Sequence, residues 1–145
     1  MTNSTHGVSV LILTKNEEQD LPGCLQSVAW SDDIHVYDSV STDSTVEIAR
    51  SFGATVTQRP FDNWASHQNW GLNNIKFKHQ WVFYIDADER MTPDLVQSVL
   101  SAVKSATEEV AFSVRRRDFF YGDVAQACTD LPLLPASLSA GEDAL

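Results

Sequence analysis

Trp81-Val82-Phe83-Tyr84-Ile85-Asp86-Ala87-Asp88-Glu89-Arg90 is the stretch that decides the architecture. Its first five residues are all aromatic or β-branched, the make-up of a buried strand. The polar run that follows therefore sits where that strand leaves the sheet. Toward the C-terminus, Thr92-Pro93 offers an N-cap with proline at the first helical position. Leu95, Val96, Val99, Leu100 and Val103 then lay an apolar stripe along one helix face. Val110–Val114 reads as a fifth strand.

The same alternation continues toward the N-terminus. A helix is expected from about Trp64 to Asn73, preceded by the loop Arg59–Asn63 and a short strand at Ala54–Thr57. Ser44 and Glu47 have capping-box spacing, so a helix starts there and runs to about Phe52, with Gly53 as its C-terminal cap. Ile34–Tyr37 is a strand ending in Asp38, and Leu21, Leu25 and Val28 mark a helix face. The run Val8–Leu13 is a strand that stops at Thr14-Lys15-Asn16-Glu17-Glu18. Strand and helix in turn predict an α/β fold, a doubly wound, mostly parallel sheet with helices on both faces. Such folds bind ligands at the carboxyl ends of their strands. Three polar clusters fall there: Asn16-Glu17, Asp38, and Asp86 with Asp88.

The 145 residues amount to one domain, with 43% hydrophobic and 21% charged residues as in ordinary globular proteins. Twenty acidic residues against ten basic ones give a net charge of -10, which argues against a nucleic-acid partner. No apolar run approaches the roughly 18–20 residues of a membrane span, and Met1–Gly7 lacks a signal pattern, so a cytoplasmic location is expected. Cys24 and Cys128 are too few and too far apart for a disulfide framework or a zinc site. Residues 1–122 are read as the domain. Residues 123–145 hold no Lys, Arg or aromatic residue and are interrupted by Pro132, Pro135 and Gly141, so they read as an irregular tail.

Two carboxylates two residues apart, Asp86 and Asp88, can both reach a hard divalent cation that still keeps places for water and phosphate oxygens, or one cation and a hydroxyl. Asp38 has two readings. It can cap its own turn with Ser39 and Ser41, or accept hydrogen bonds from a base or ribose. Asn16 and Glu17 can cap the first helix or border a nucleoside. Asp43 reads as part of a helix cap.

From Val8 to about Phe120 the chain resembles the family-2 glycosyltransferases of the GT-A fold. The matching pieces are Leu13–Glu18, Asp38–Thr45, Trp64–Leu72 and Tyr84–Arg90, in the right order and spacing. The combination looks most like the bacterial subgroup that adds glucose or heptose to lipopolysaccharide core. The resemblance implies a nucleotide-diphosphate-sugar donor and a glycan or lipid-linked acceptor in cell-envelope polysaccharide or lipopolysaccharide synthesis. It places Thr14, Asn16 and Glu17 beside the nucleoside, Asp38 on the base, Asn69 near the diphosphate and Asp86 near the ribose. Asp88, with Asp86, would ligate Mg2+ or Mn2+. Where the family commonly has glycine, this chain has Val40 and Ser44.

The resemblance fades after Arg117–Gly122, and relatives run on for ~100 residues that hold the acceptor and supply the base needed for an inverting transfer. No residue here is assigned as that base. The alternative expectation is a shortened, non-catalytic domain that binds a nucleotide-sugar. Arg115-Arg116-Arg117 reads as a solvated run, with an anionic acceptor or peripheral contact at the inner membrane face left open. An uncovered Phe119-Phe120-Tyr121 would favour association, and the oligomeric state stays unassigned.

Overall fold

A computed structural model describes residues 7–105, 112–115, 118–120, 123–125 and 130–135. The elements run β1 (Val8–Thr14), α1 (Leu21–Ser27), β2 (Ile34–Asp38), α2 (Thr45–Ser51), β3 (Thr55–Gln58), α3 (Trp64–Asn74), β4 (Trp81–Asp86) and α4 (Pro93–Ser105). The strands β5 (Phe112–Arg115), β6 (Asp118–Phe120), β7 (Asp123–Ala125) and β8 (Asp130–Pro135) follow. The main sheet has the order β3-β2-β1-β4-β8-β5, and its first four strands are parallel.

Side-chain alternation along each strand explains the two helical layers. Val8, Val10 and Ile12 of β1 point to one face with Val36, Phe83 and Ile85, where they meet Leu21, Cys24 and Leu25 of α1, Ala49 of α2 and Val99 and Val103 of α4. Leu11, Tyr37, Val82 and Tyr84 point to the other face and pack on Leu72 of α3. Each of these fully buried aliphatic side chains stabilises the fold by roughly 1.5–3 kcal/mol before entropy is counted. Helices on both faces of a parallel sheet match the expected class.

Two local expectations need correction. Ser44 occupies the N-cap of α2, but its side chain makes no capping hydrogen bond. Asp43 takes that role: its Oδ1 accepts from Thr45 N at 2.9 Å and its Oδ2 from Glu18 N at 3.3 Å. A carboxylate one residue earlier thus ties α2 to the loop after β1 as well as capping it. The other correction concerns the stretch after residue 122, which is not irregular throughout. β6 and β7 pair as a short hairpin, and β8 inserts antiparallel between β4 and β5. The prolines that argued against structure lie at Pro132 and Pro135 of β8, paired in register with Ser113 and Trp81. Cys128, Arg116, Arg117, Tyr121 and residues 136–145 lie outside the described residues. Among the described residues no helix is long and apolar enough to cross a membrane.

Candidate functional site

The register of the parallel strands brings the polar strand tips into one row. Thr14 pairs with Asp38, Leu13 with Asp86, and Asp38 with Gln58. What each tip offers then depends on its hydrogen bonds.

Asp38 is wholly buried. Its Oδ1 accepts from Thr14 Oγ1 at 2.6 Å and Ser41 Oγ at 2.5 Å, and its Oδ2 from Ser41 N at 2.7 Å and Gln58 Nε2 at 3.1 Å. Burial alone would raise its pKa, but the bonds from Ser41, Thr14 and Gln58 outweigh it and hold the carboxyl below the ordinary range. A carboxylate has about four lone-pair positions, and here four internal donors use them. Asn16 is similarly occupied. Its Oδ1 accepts from Thr42 N at 2.8 Å and its N–H donates to Ser41 Oγ at 2.7 Å. Glu17 N donates to Thr45 Oγ1 at 2.9 Å, and Lys15 Nζ donates to the carbonyls of Ser39 and Val40 at 3.0 and 2.9 Å. The loops after β1 and β2 are therefore laced together. Asn16 (φ 53) and Val40 (φ 58) both adopt left-handed backbone, which asparagine tolerates and a β-branched residue does not.

The turn after β4 is built differently. Ala87 is buried, while Asp86 and Asp88 on either side of it are exposed. Ala87 N donates to Leu13 O at 3.3 Å, and the turn closes through Glu89 N to Asp86 O at 2.9 Å and Asp86 N to Glu89 Oε1 at 2.8 Å. A small apolar residue anchored between two acids leaves both carboxylates facing outward. Cys24 lies under this turn, and burial pushes its thiol up to about 12, so it is an inert packing group.

A cavity of about 250 Å³ opens beside these tips. Leu13, Thr14, Lys15, Glu17, Ser39, Asp86 and Asp88 line it from the tips of β1, β2 and β4. Phe61, Trp64, His67 and Gln68 line it from the start of α3 and the loop before it. Thr14, Glu17, Asp86 and Asp88, four of the residues singled out in the sequence, thus line one cavity. Asp38, Asn16 and Asn69 are not part of the lining. Burial first, then repulsion from Asp88, Asp20, Asp86 and Asp43, raises the Glu17 pKa, which marks a concentration of negative charge. Among the described residues no three His, Cys, Asp or Glu side chains gather into a metal cluster on their own. The exposed pair of carboxylates fits a cation that completes its shell with water and ligand oxygens, as Mg2+ does.

The four lining residues on the α3 side were given no role from the sequence, although three of them lie within the matching stretch Trp64–Leu72. Trp64, His67 and Gln68 are spaced by three and four, so they share one helix face, and Asn69 is rotated away from it. Asn63 caps this helix by accepting from Ser66 N at 2.9 Å. His67 is stacked on Tyr37 with ring centroids 4.1 Å apart, and Tyr37 donates its hydroxyl proton to His67 O at 2.7 Å. Burial, then the nearby Arg59 guanidinium, lowers the His67 pKa. Phe61 and Trp64 are more than half exposed at 57% and 54%, an unusual price of solvation for two large apolar rings that line one cavity.

The sequence profile described as Glycosyl transferase family 2 matches residues 9–127. An uncharacterized glycosyltransferase of Rickettsia bellii is 34% identical over 96 residues, 66% of this chain and 32% of that protein. The lipopolysaccharide core biosynthesis glycosyltransferase LpsC of Rhizobium meliloti is 28% identical over 120 residues, 79% of this chain and 44% of that protein. The chain thus spans less than half the length of these relatives. Among solved structures, the glucosyl-3-phosphoglycerate synthase of Mycobacterium tuberculosis in complex with UDP superposes with a TM-score of 0.67 at 20% identity, covering 91% of this chain and 57% of that one. The same enzyme with Mn2+, UDP and glucosyl-3-phosphoglycerate gives 0.65 at 17% identity, with the same shares covered.

Proposed function

Because the chain belongs to glycosyl transferase family 2, we propose that its cavity binds a nucleotide-diphosphate-sugar donor for transfer to a glycan or lipid-linked acceptor of the cell envelope. The observation that carries this reading is the convergence of Glu17, Asp86 and Asp88 with Thr14 on one cavity at the carboxyl edge of the sheet. Asp86 and Asp88 would hold a divalent cation, Mg2+ or Mn2+, which when bound would supply Lewis-acid neutralisation of the diphosphate. Thr14 and Glu17 border the nucleoside. Asp38 and Asn16 act one step back, by fixing the loops that carry Thr14 and Ser39. The UDP and Mn2+ named with the Mycobacterium tuberculosis structure support both halves of the ligand, and the likeness to LpsC supports the lipopolysaccharide setting. The location expected for this role is cytoplasmic, at the inner face of the membrane.

The test is thermal unfolding with UDP, CDP, GDP and ADP, each with and without Mn2+. A ligand at one hundred times its Kd adds about 2.7 kcal/mol to the folded state. One nucleotide is expected to raise the Tm, and more so with the metal. No shift with any of the four at millimolar concentration refutes the reading.

A further inference from the structure

Four buried side-chain atoms among the described residues have no hydrogen-bond partner: Trp30 Nε1, His35 Nδ1, Gln68 Oε1 and Tyr84 OH. Gln68 alone among their residues lines the cavity. The residue is 7% exposed, so its side chain is enclosed, and it lies in the wall of that cavity. A buried acceptor left unpaired is costly, so one that lies beside a cavity points to a partner that comes with the ligand.

The element carrying Gln68 is held firmly. His67 before it is stacked on Tyr37 and touched by Arg59 Nη1 at 3.2 Å. Gly71 lets α3 approach so closely that a Cβ there would lie 2.8 Å from Tyr37 Cε2. The Gln68 amide is thus presented from a rigid face rather than from a loop.

We propose that Gln68 is a ligand-binding residue of this cavity, its amide taking a sugar hydroxyl of the bound nucleotide or nucleotide-sugar. The proposal rests on the donor-binding reading above and adds a residue and a chemical group to it. The choice of group follows from the orphan atom. Oε1 needs a proton donor, and a phosphate ester oxygen at neutral pH carries none. A hydroxyl donates to the amide oxygen and accepts from the amide N–H, so it suits the amide in either orientation. Position agrees. Gln68 shares a cavity of about 250 Å³ with Asp86 and Asp88, and the groups joined directly to a diphosphate in such a donor are sugars on both sides. The base is one ring further away.

The experiment is calorimetric titration of the 145-residue chain in Mn2+ with UDP, 2′,3′-dideoxy-UDP and UDP-glucose, comparing wild type with Gln68→Leu. A lost hydrogen bond to a neutral hydroxyl corresponds to about tenfold in Kd. If the ribose is the source, Gln68→Leu weakens UDP about tenfold and leaves the dideoxy analogue unchanged. If the transferred hexose is the source, UDP-glucose alone weakens. The Tm of the free variant stays equal or rises, because an unpaired polar group has gone, and a merely structural role would not give that split. Gln68→Met serves as the second variant of similar size should leucine hinder folding. Unchanged affinity for UDP and UDP-glucose in the folded variants overturns the proposal, as does an equal loss for UDP and its dideoxy analogue, which puts the contact on the base or the phosphates. Where thermal unfolding selects another base, the matching diphosphate, its dideoxy analogue and its glucose conjugate replace the uridine set. Wild type that binds none of UDP, CDP, GDP and ADP refutes the donor-binding reading itself, a result distinct from a silent Gln68.

Discussion

Replacing Asp38 separates two roles that its position at the tip of β2 leaves open. With alanine, Thr14 Oγ1, the Ser41 N–H and Oγ, and Gln58 Nε2 lose a shared charged acceptor. Gln58 is exposed and rehydrates, whereas Thr14 is buried. Two to three lost bonds to a charged group, at about 1.5–3 kcal/mol each, predict a loss of about 3–9 kcal/mol. That is a large part of the 5–15 kcal/mol typical of a domain, and even its low end lowers Tm by about 10 °C. Asparagine should cost less, about 1–2 kcal/mol. It keeps one oxygen for Ser41 N and Gln58, and its NH2 meets hydroxyls that can turn to accept.

The pH dependence has a definite sign. A folded pKa below the unfolded value of 3.8 gives stability that is present above about pH 4 and lost as pH falls through the lower folded value. The gap between wild type and Asp38→Asn should therefore narrow below pH 4. Urea unfolding followed by tryptophan fluorescence at pH 7 and pH 3 measures both effects. If Asp38→Ala unfolds within 1 kcal/mol of wild type while nucleotide binding in Mn2+ disappears, the carboxylate serves the ligand directly and the loop-fixing account is wrong.

Three further outcomes are expected. Asp88→Asn should remove the Mn2+-dependent part of the nucleotide-induced Tm shift and leave the free Tm equal or slightly higher, since its charge repels Glu17; an undiminished metal effect in thermal unfolding would take Asp88 out of the site. Val40→Asn should stabilise the chain by about 1 kcal/mol, seen as a higher urea midpoint, because it eases left-handed strain at a side chain that is 44% exposed; a lower midpoint would show that the turn needs valine. Hydrogen bonds from Lys78 and His79 hold the Asp32 carboxyl down to about 2. Its stabilisation is present above about pH 4 and fades toward pH 2, so Asp32→Asn should flatten the acid limb of the stability curve, and an unchanged limb would refute that linkage.

Strand composition was enough to place β1, β2 and β4, whose side chains alternate between two helical layers, and apolar spacing placed α1 and α4. The helix α2 was located by its N-terminal signals, and α3, whose buried face is His67, Gln68, Gly71 and Leu72, carries no apolar stripe. The pairing of β8 between β4 and β5 was not legible. Its prolines hide a strand, and antiparallel insertion is a tertiary choice that no local pattern records. At the site, the acids of the β4 turn could be read from Asp86-Ala87-Asp88, since a buried small residue between two polar ones already fixes where both carboxylates point. Asp38 could not be settled in the same way. Whether a carboxylate at a strand tip serves its own turn or a ligand depends on how many donors the neighbouring loops bring to it, and Gln58 arrives from another strand, twenty residues on. Gln68 lay inside the matching stretch Trp64–Leu72 without a role for a similar reason, because a glutamine on a helix becomes informative only once its burial, its unpaired oxygen and its place beside a cavity are known.

The charge of the cavity then constrains how any diphosphate can enter it. Glu17, Asp86 and Asp88 line it, against a single lining ammonium among the described residues, Lys15. Lys15 already directs Nζ to the carbonyls of Ser39 and Val40, so little of its donor capacity remains for a phosphate. Arg59 stands behind His67, in an ion pair with Asp62 at 2.9 Å, and the depressed pKa of His67 keeps that imidazole neutral at neutral pH. On a chain of net charge -10, a bare nucleoside diphosphate would meet repulsion both at long range and at contact. Binding that is strong in EDTA and indifferent to Mn2+ would therefore contradict more than the metal assignment. It would mean that the phosphates lie outside the acidic tips, and that the cavity holds some other part of the ligand.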